Sequence, residues 1–159
     1  MKNKNFFLSS MLIFTAILLD LLGGAEIDIF VPSFPELQKV FNISAFWAEG
    51  LLSINFIGSI IGLFLVGNFA DKHGSKPTII LGLTIFIIGS IFCIYAPSYP
   101  FLLVGRFLQG IGISAPSSLY FVIIADNFEM KKQQFLMGIM NGFISAAVAA
   151  APVRQLYNH

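Results

Sequence analysis

The sequence has few charged residues and few residues that bind metals. Only 11% of its 159 residues are Asp, Glu, Lys or Arg, whereas about 25% is usual in soluble domains. This scarcity argues against a soluble fold. The single Cys93 excludes an internal disulfide, and the two histidines, His73 and His159, form no cluster with metal-ligand spacing. No run of basic residues suits a nucleic acid partner.

A phosphate-binding loop of the type G-x-x-x-x-G-K-[ST] is also absent from the sequence. We therefore do not expect ATP to supply energy to this protein. No pattern of residues indicates covalent chemistry, so we expect no enzymatic activity, no cofactor and no metal site.

Apolar residues are abundant, at 57% of the chain, with a mean hydropathy of +0.85. A hydrocarbon core about 30 Å thick requires roughly 20 apolar residues per helical span. We predict an all-α membrane protein with four complete transmembrane helices, most of a fifth and no soluble domain. The predicted spans are residues 6–31, 47–69, 77–95, 101–124 and 135–153.

Proline and polar residues predict where the spans end. Pro32 and Pro35 should end the first span, because proline lacks an amide proton and restrains the residue before it. Ser44 should cap the second helix by accepting a backbone N–H bond. The polar stretch 70–76 should form a tight turn between the second and third spans.

The distribution of lysine predicts the orientation of the chain, since Lys and Arg in short loops are retained in the cytoplasm. On one side of the predicted bundle the loops hold only Lys39. The opposite side holds Lys2, Lys4, Lys72, Lys76, Lys131 and Lys132. We therefore predict a multi-pass protein of the inner (plasma) membrane with a cytoplasmic amino terminus.

The segment between the second and third spans contains Gly67, Asp71, Lys72, Gly74 and Lys76 in the pattern glycine–x–x–x–Asp–basic–x–Gly–x–basic. This pattern resembles the signature loop of the major facilitator superfamily. The resemblance implies a conformational latch, in which a carboxylate and cations at the helix ends pair with neighbouring helices. The alternative is that Lys72 and Lys76 only set the topology.

Residues 102–115 resemble the fourth-helix motif of the same family, with Arg106, Gln109, Gly110 and Gly112 in the matching positions. An arginine inside a span costs a few kcal/mol on insertion scales, so it normally faces a partner or a watery cavity. The resemblance implies that Arg106 acts in proton coupling by tuning a nearby carboxylate. The alternative is an arginine that snorkels outward to the membrane surface.

The first span carries three carboxylates, Asp20, Glu26 and Asp28. Asp20 is the deepest, and Asp28 returns to nearly the same helix face about 12 Å higher. Both are expected to line one cavity and to bind protons or substrate, whereas Glu26 is expected to face the headgroups. Residues 26–35 are similar to the end of the first helix in Bcr/CflA-type drug–proton antiporters.

The fifth span is similar to an antiporter motif at Gly138, Gly142 and Pro152, which we expect to serve helix packing. After residue 153 the sequence becomes polar and leaves the pattern. We therefore expect residues 1–153 to be the amino-terminal part of a transporter domain and 154–159 to be an aberrant tail. The missing carboxy-terminal half would be the natural packing partner.

These resemblances imply multidrug efflux by proton antiport for the parent protein, with this chain a truncated and inactive fragment. The expected partners are the lipid bilayer, protons and a small molecule such as a cationic drug. Two alternatives remain open: a transporter of another small solute, such as a sugar or an organic anion, and an inert or assembling small membrane protein.

Overall fold

The computed structural model describes residues 11–19, 21–23, 26, 30–139 and 142, and all regular structure among them is helical. A 3₁₀ helix, Val31–Ser33, precedes the short helix α1, Phe34–Phe41. The long helices are α2 (Ala45–His73), α3 (Ser75–Ile94) and α4 (Tyr99–Asn127). Helical residues 11–19 and 21–23 form the N-terminal segment, and helical residues 130–139 form the C-terminal segment.

Helices α2, α3 and α4 are long and apolar enough to cross a membrane, with mean hydropathies of 2.0, 2.4 and 1.5 over their most apolar windows. They coincide with the predicted spans 47–69, 77–95 and 101–124, so the all-α membrane fold is confirmed. The predicted spans 6–31 and 135–153 fall partly outside the described residues.

The junction between α2 and α3 is much shorter than predicted. Helix α2 continues to His73 and α3 begins at Ser75, so Gly74 alone lies between them. The predicted turn over residues 70–76 is therefore wrong, because a helix continues beyond the residues that contact hydrocarbon. Gly74 has a φ of 88°, in a region that is open to glycine and strained for other residues.

The prolines of the first connector were predicted to end the first helix, but the helical conformation continues through them. Phe30 is helical, Pro32 lies in the 3₁₀ helix, and Pro35 lies in the first turn of α1. Proline is tolerated in a first turn, where its missing N–H has no intrahelical partner. Ser44 occupies the N-cap position of α2 as predicted, but its side chain makes no capping hydrogen bond.

Helix α4 is the centre of the bundle. Helices α2 and α3 both pack along α4 and contact each other little. The N-terminal segment also reaches α4, because Ala16 and Leu19 share a buried apolar cluster with Tyr120, Ile124 and Leu136. The N-terminal segment, α2, α3 and the C-terminal segment are thus arranged around α4.

Glycines allow the close approach of α2 and α3 to α4. A Cβ atom on Gly58 would collide with the backbone oxygen of Phe107, and one on Gly110 would collide with that of Asn55. At the contact between α3 and α4, a Cβ atom on Gly89 would lie 2.7 Å from the amide nitrogen of Gln109. Small residues at such crossings are typical of helices that associate in lipid.

We expect Gly89→Ala and Gly67→Ala to change stability in opposite directions. The added methyl at Gly89 meets backbone atoms of α4, so the free energy of unfolding should fall by about 1–3 kcal/mol. Gly67 has no atom within 4 Å of an added Cβ, so alanine should stabilise α2 by up to about 1 kcal/mol. Thermal unfolding in micelles, followed by circular dichroism, measures both. Equal midpoints for the two variants would contradict the close α3–α4 contact.

Candidate functional site: a buried ion pair in the helix bundle

Arg106 is the eighth residue of α4 and is only 2% exposed. Its Nη1 atom donates a hydrogen bond to Oε1 of Glu26 at 2.6 Å, and the two side chains form an ion pair. The alternative of an arginine that snorkels outward is therefore wrong. Arg106 instead faces a carboxylate partner, as the cost of a charge within a span requires.

Glu26 is the carboxylate that sequence reasoning misjudged. Its side chain is 5% exposed and lies against Arg106, so the expected position among the headgroups is wrong. The pair joins residues 80 positions apart in the chain, and no local pattern specifies such a contact. The available signal was chemical: a buried arginine needs an acid, and Glu26 is one of three acids in the predicted first span.

Asn55 connects the ion pair to α2. Its Nδ2 atom donates to Glu26 Oε1 at 2.9 Å and to the backbone oxygen of Arg106 at 3.2 Å. The side chain is 2% exposed, so these bonds replace the water that a buried amide has lost. Sequence reasoning also missed Asn55, although an amide inside the apolar run 47–69 was a visible signal.

Gln109 connects the ion pair to α3. Its Oε1 atom accepts from Arg106 Nη1 at 2.8 Å, and its Nε2 atom donates to Ser90 Oγ at 2.9 Å. The Cys93 thiol also approaches Gln109 Oε1, at 3.5 Å. The fourth-helix motif, with Gln109, Gly110 and Gly112, predicts helix packing, as in the fifth span; the structure places Gln109 in a polar network that joins the first span, α2, α3 and α4.

Two nitrogens of Arg106 have no hydrogen-bond acceptor among the described residues. Within the described part of the chain, Nε and Nη2 are buried and have no partner. The guanidinium carbon lies 3.9 Å from the centre of the Phe30 ring, which gives a cation–π contact on one face. A cavity of about 300 Å³ adjoins this group. The described residues that line it are Leu22, Glu26, Phe30, Ser33, Phe86, Cys93, Arg106 and Gln109.

The predicted latch lies at the opposite end of the bundle from Arg106. Gly67, Asp71, Lys72, Gly74 and Lys76 are all exposed around the α2–α3 junction, while Arg106 is near the start of α4. Among the described residues, Asp71 and the two lysines form no ion pair. Their charges are therefore accessible to a partner, and the latch stays a prediction.

The predicted packing residues divide into two groups. Gly110 and Gly112 lie against the backbones of α2 and α3, whereas an added Cβ on Gly138 or Gly142 would meet no atom within 4 Å. Asp20, Asp28 and Pro152 lie outside the described residues. Their predicted roles stay predictions.

Comparison with known proteins places the sequence in a family. The sequence profile of the Major Facilitator Superfamily matches residues 7–154. The chain belongs to this superfamily. It is therefore a multi-pass membrane protein of a transporter family, and the predicted family is confirmed, while the Bcr/CflA subtype stays a prediction.

The chain is also similar to curated multidrug resistance proteins. The Multidrug resistance protein MdtL of Escherichia coli strain K12 / DH10B is 31% identical over 133 residues, which cover 84% of this chain and 34% of the relative. The protein of the same name from Shigella boydii serotype 18 matches equally. The chain thus spans about a third of the length of these relatives. No solved structure matches it.

We expect strong coupling between Arg106 and Glu26 in a double-mutant cycle. Arg106→Met or Glu26→Leu alone leaves a buried charge unpaired, which should cost about 3–5 kcal/mol, whereas the double variant replaces the pair by apolar groups and should regain most of that loss. Thermal unfolding in micelles measures each term. Glu49→Gln, at an exposed carboxylate of α2, is the control and should change little. Additive losses in the double variant would show that the pair contributes no coupling.

Proposed function

We propose that this chain forms the proton- and substrate-handling part of a drug exporter in the plasma membrane, driven by inward proton movement. The observation that carries the proposal is the buried ion pair of Arg106 and Glu26 beside a cavity. The relatives' name, multidrug resistance protein, supports drugs as the class of substrate.

Glu26 is the proton acceptor in this mechanism. When its carboxylate binds a proton, it loses its charge and no longer compensates Arg106, whose burial then becomes unfavourable. The guanidinium must move toward another acceptor or toward water. Asn55 and Gln109 bond directly to the pair, so this movement changes the contacts of α2 and α3 with α4.

Such a switch fits alternating access, in which two halves of a transporter rock about a site near the membrane midplane. A proton that binds from one side would favour one arrangement, and its release to the other side would favour the second. Asp20 and Asp28 are predicted to act in the same path. The charges around Gly74 are predicted to latch one arrangement against the remainder of the transporter.

Efflux of fluorescent compounds tests the proposal. The chain would be placed in a pump-deficient bacterium, both alone and in place of the matching first third of E. coli MdtL. In the chimera we expect export that stops when the proton gradient is collapsed. Glu26→Gln and Arg106→Met should each reduce that export at least about tenfold, because glutamine cannot exchange the proton and methionine removes the charge that responds to it.

Protein level in the membrane controls for insertion, and Glu49→Gln provides the matched carboxylate variant outside the site. Export that is retained in Glu26→Gln would contradict the assignment of the proton to Glu26. A chimera that inserts well and exports no compound would contradict drug export by this chain. Export by the 159-residue chain alone would show that it works without a longer partner.

Cysteine labelling tests the proposed orientation. In a Cys93→Ser background, we expect Ser98→Cys to react with a membrane-impermeant maleimide in intact spheroplasts, because the α3–α4 connection faces outward. His73→Cys, at the lysine-rich α2–α3 junction, should react only after permeabilisation. The reverse pattern would place the amino terminus outside.

A further inference from the structure

Helices α2 and α3 leave a groove between them, because each packs along α4 and they contact each other little. The groove encloses a cavity of about 430 Å³. Residues from the stretch 62–73 of α2 form one wall, residues from 78–85 of α3 form the other, and Ile111 and Ala115 of α4 form the floor. This α2–α3 groove shares no described lining residue with the cavity beside Arg106.

The length of the groove matches the thickness of one membrane leaflet. Its lining on α2 extends from His73, the last residue of the helix, to Gly62. At 1.5 Å per residue, this distance is about 16 Å. The hydrocarbon core of a bilayer is about 30 Å thick, so one leaflet contributes about 15 Å. The groove therefore extends from the membrane surface near Gly74 to about the midplane.

The deeper part of the groove is apolar and open to the surroundings of the bundle. Leu65 and Val66 line it on α2, and Leu81 and Ile85 line it on α3. Leu65 is 56% exposed and Leu81 is 44% exposed. In a membrane these side chains meet hydrocarbon, so the occupant of this part is an extended apolar chain.

Positive charge lies at the mouth of the groove. Lys72 and His73 line the groove in the last turn of α2. The His73 ring is held in place because it stacks on Phe69 and its Nδ1 lies 3.2 Å from the backbone oxygen of Phe69. No acidic residue is among the described residues that line the groove, and within that part of the chain Lys72 forms no ion pair.

This combination indicates the chemistry of the occupant. A lysine ammonium bonds strongly to phosphate oxygens, and basic pockets between transmembrane helices on the cytoplasmic side bind anionic lipid headgroups. A zwitterionic headgroup carries a cation of its own, which Lys72 would repel. We propose that the α2–α3 groove binds an anionic phospholipid of the cytoplasmic leaflet, with an acyl chain along Leu65 and Leu81 and the phosphate beside Lys72. This site does not depend on the proposed export function.

The proposed lipid has a consequence for the predicted latch. Lys72 belongs to both sites, whereas Asp71 and Lys76 do not line the groove. A bound phosphate would therefore neutralise one charge of the latch and leave the other two accessible. The acyl chain would also fill the space between α2 and α3, where the two helices have few contacts of their own.

Quenching of tryptophan fluorescence by brominated lipids tests the proposal. Trp47 is the only tryptophan of the chain, so Trp47→Phe provides a dark background. Leu65→Trp then places a probe in the groove. Phe64→Trp is the matched control, because Phe64 is the preceding residue of α2, is 74% exposed and does not line the groove.

The purified chain would be placed in nanodiscs that contain phosphatidylglycerol and phosphatidylcholine with identical chains, and one lipid at a time would carry bromine. Comparison of the two mixtures gives the relative binding constant at each probe. We expect Leu65→Trp to favour phosphatidylglycerol at least about fivefold, the factor that one cation beside an anionic headgroup provides. Phe64→Trp should show a ratio near one. Equal ratios at the two probes, or no preference at Leu65→Trp, overturn the proposal.

A charge variant tests the position of the headgroup. In the Leu65→Trp protein, Lys72→Gln should bring the ratio close to one, whereas Lys131→Gln, which removes a lysine outside the groove, should leave it unchanged. A preference that persists in Lys72→Gln, or that falls equally in both variants, overturns the assignment of the phosphate to Lys72. Inorganic phosphate in excess should not displace the brominated lipid; displacement would make this a phosphate site and overturn the lipid.

Discussion

A guanidinium inside a membrane bundle has no water to compensate its charge, and the arrangement around Arg106 follows from that constraint. Glu26 balances the charge, and Gln109 accepts from the same nitrogen. Asn55 then satisfies both the carboxylate and the backbone of Arg106. One buried charge thus fixes how the first span, α2 and α4 lie relative to one another.

Close packing makes this polar network possible. Short side chains such as those of Asn55 and Ser90 reach α4 only because glycines allow the helix backbones to approach closely. The glycines in α2, α3 and α4 and the polar side chains between them therefore serve one purpose. The helices approach closely enough for hydrogen bonds, and the hydrogen bonds select one way for the helices to meet.

The sequence was sufficient to predict what depends on local composition. Three spans and the inward-facing position of Arg106 followed from hydropathy and from the cost of a charge in lipid. The end of α2 was placed too early, because hydropathy detects contact with hydrocarbon and not hydrogen bonding of the backbone. Glu26 was misjudged because its partner is 80 residues away, and such pairing depends on how the helices assemble.

Helix α3 is positioned by its packing along α4 and by one residue at its junction with α2. It is joined to α2 by Gly74 alone, contacts α2 little elsewhere, and carries Ser90 and Cys93 near its far end. Twenty residues of helix measure about 30 Å, so a tilt of roughly 5° at Gly74 moves that end by about 2.6 Å. Such a displacement is comparable to the length of a hydrogen bond. A tilt of α3 on this scale would therefore break the contact between Ser90 and Gln109 together with the close packing of Gly89 against the backbone of α4.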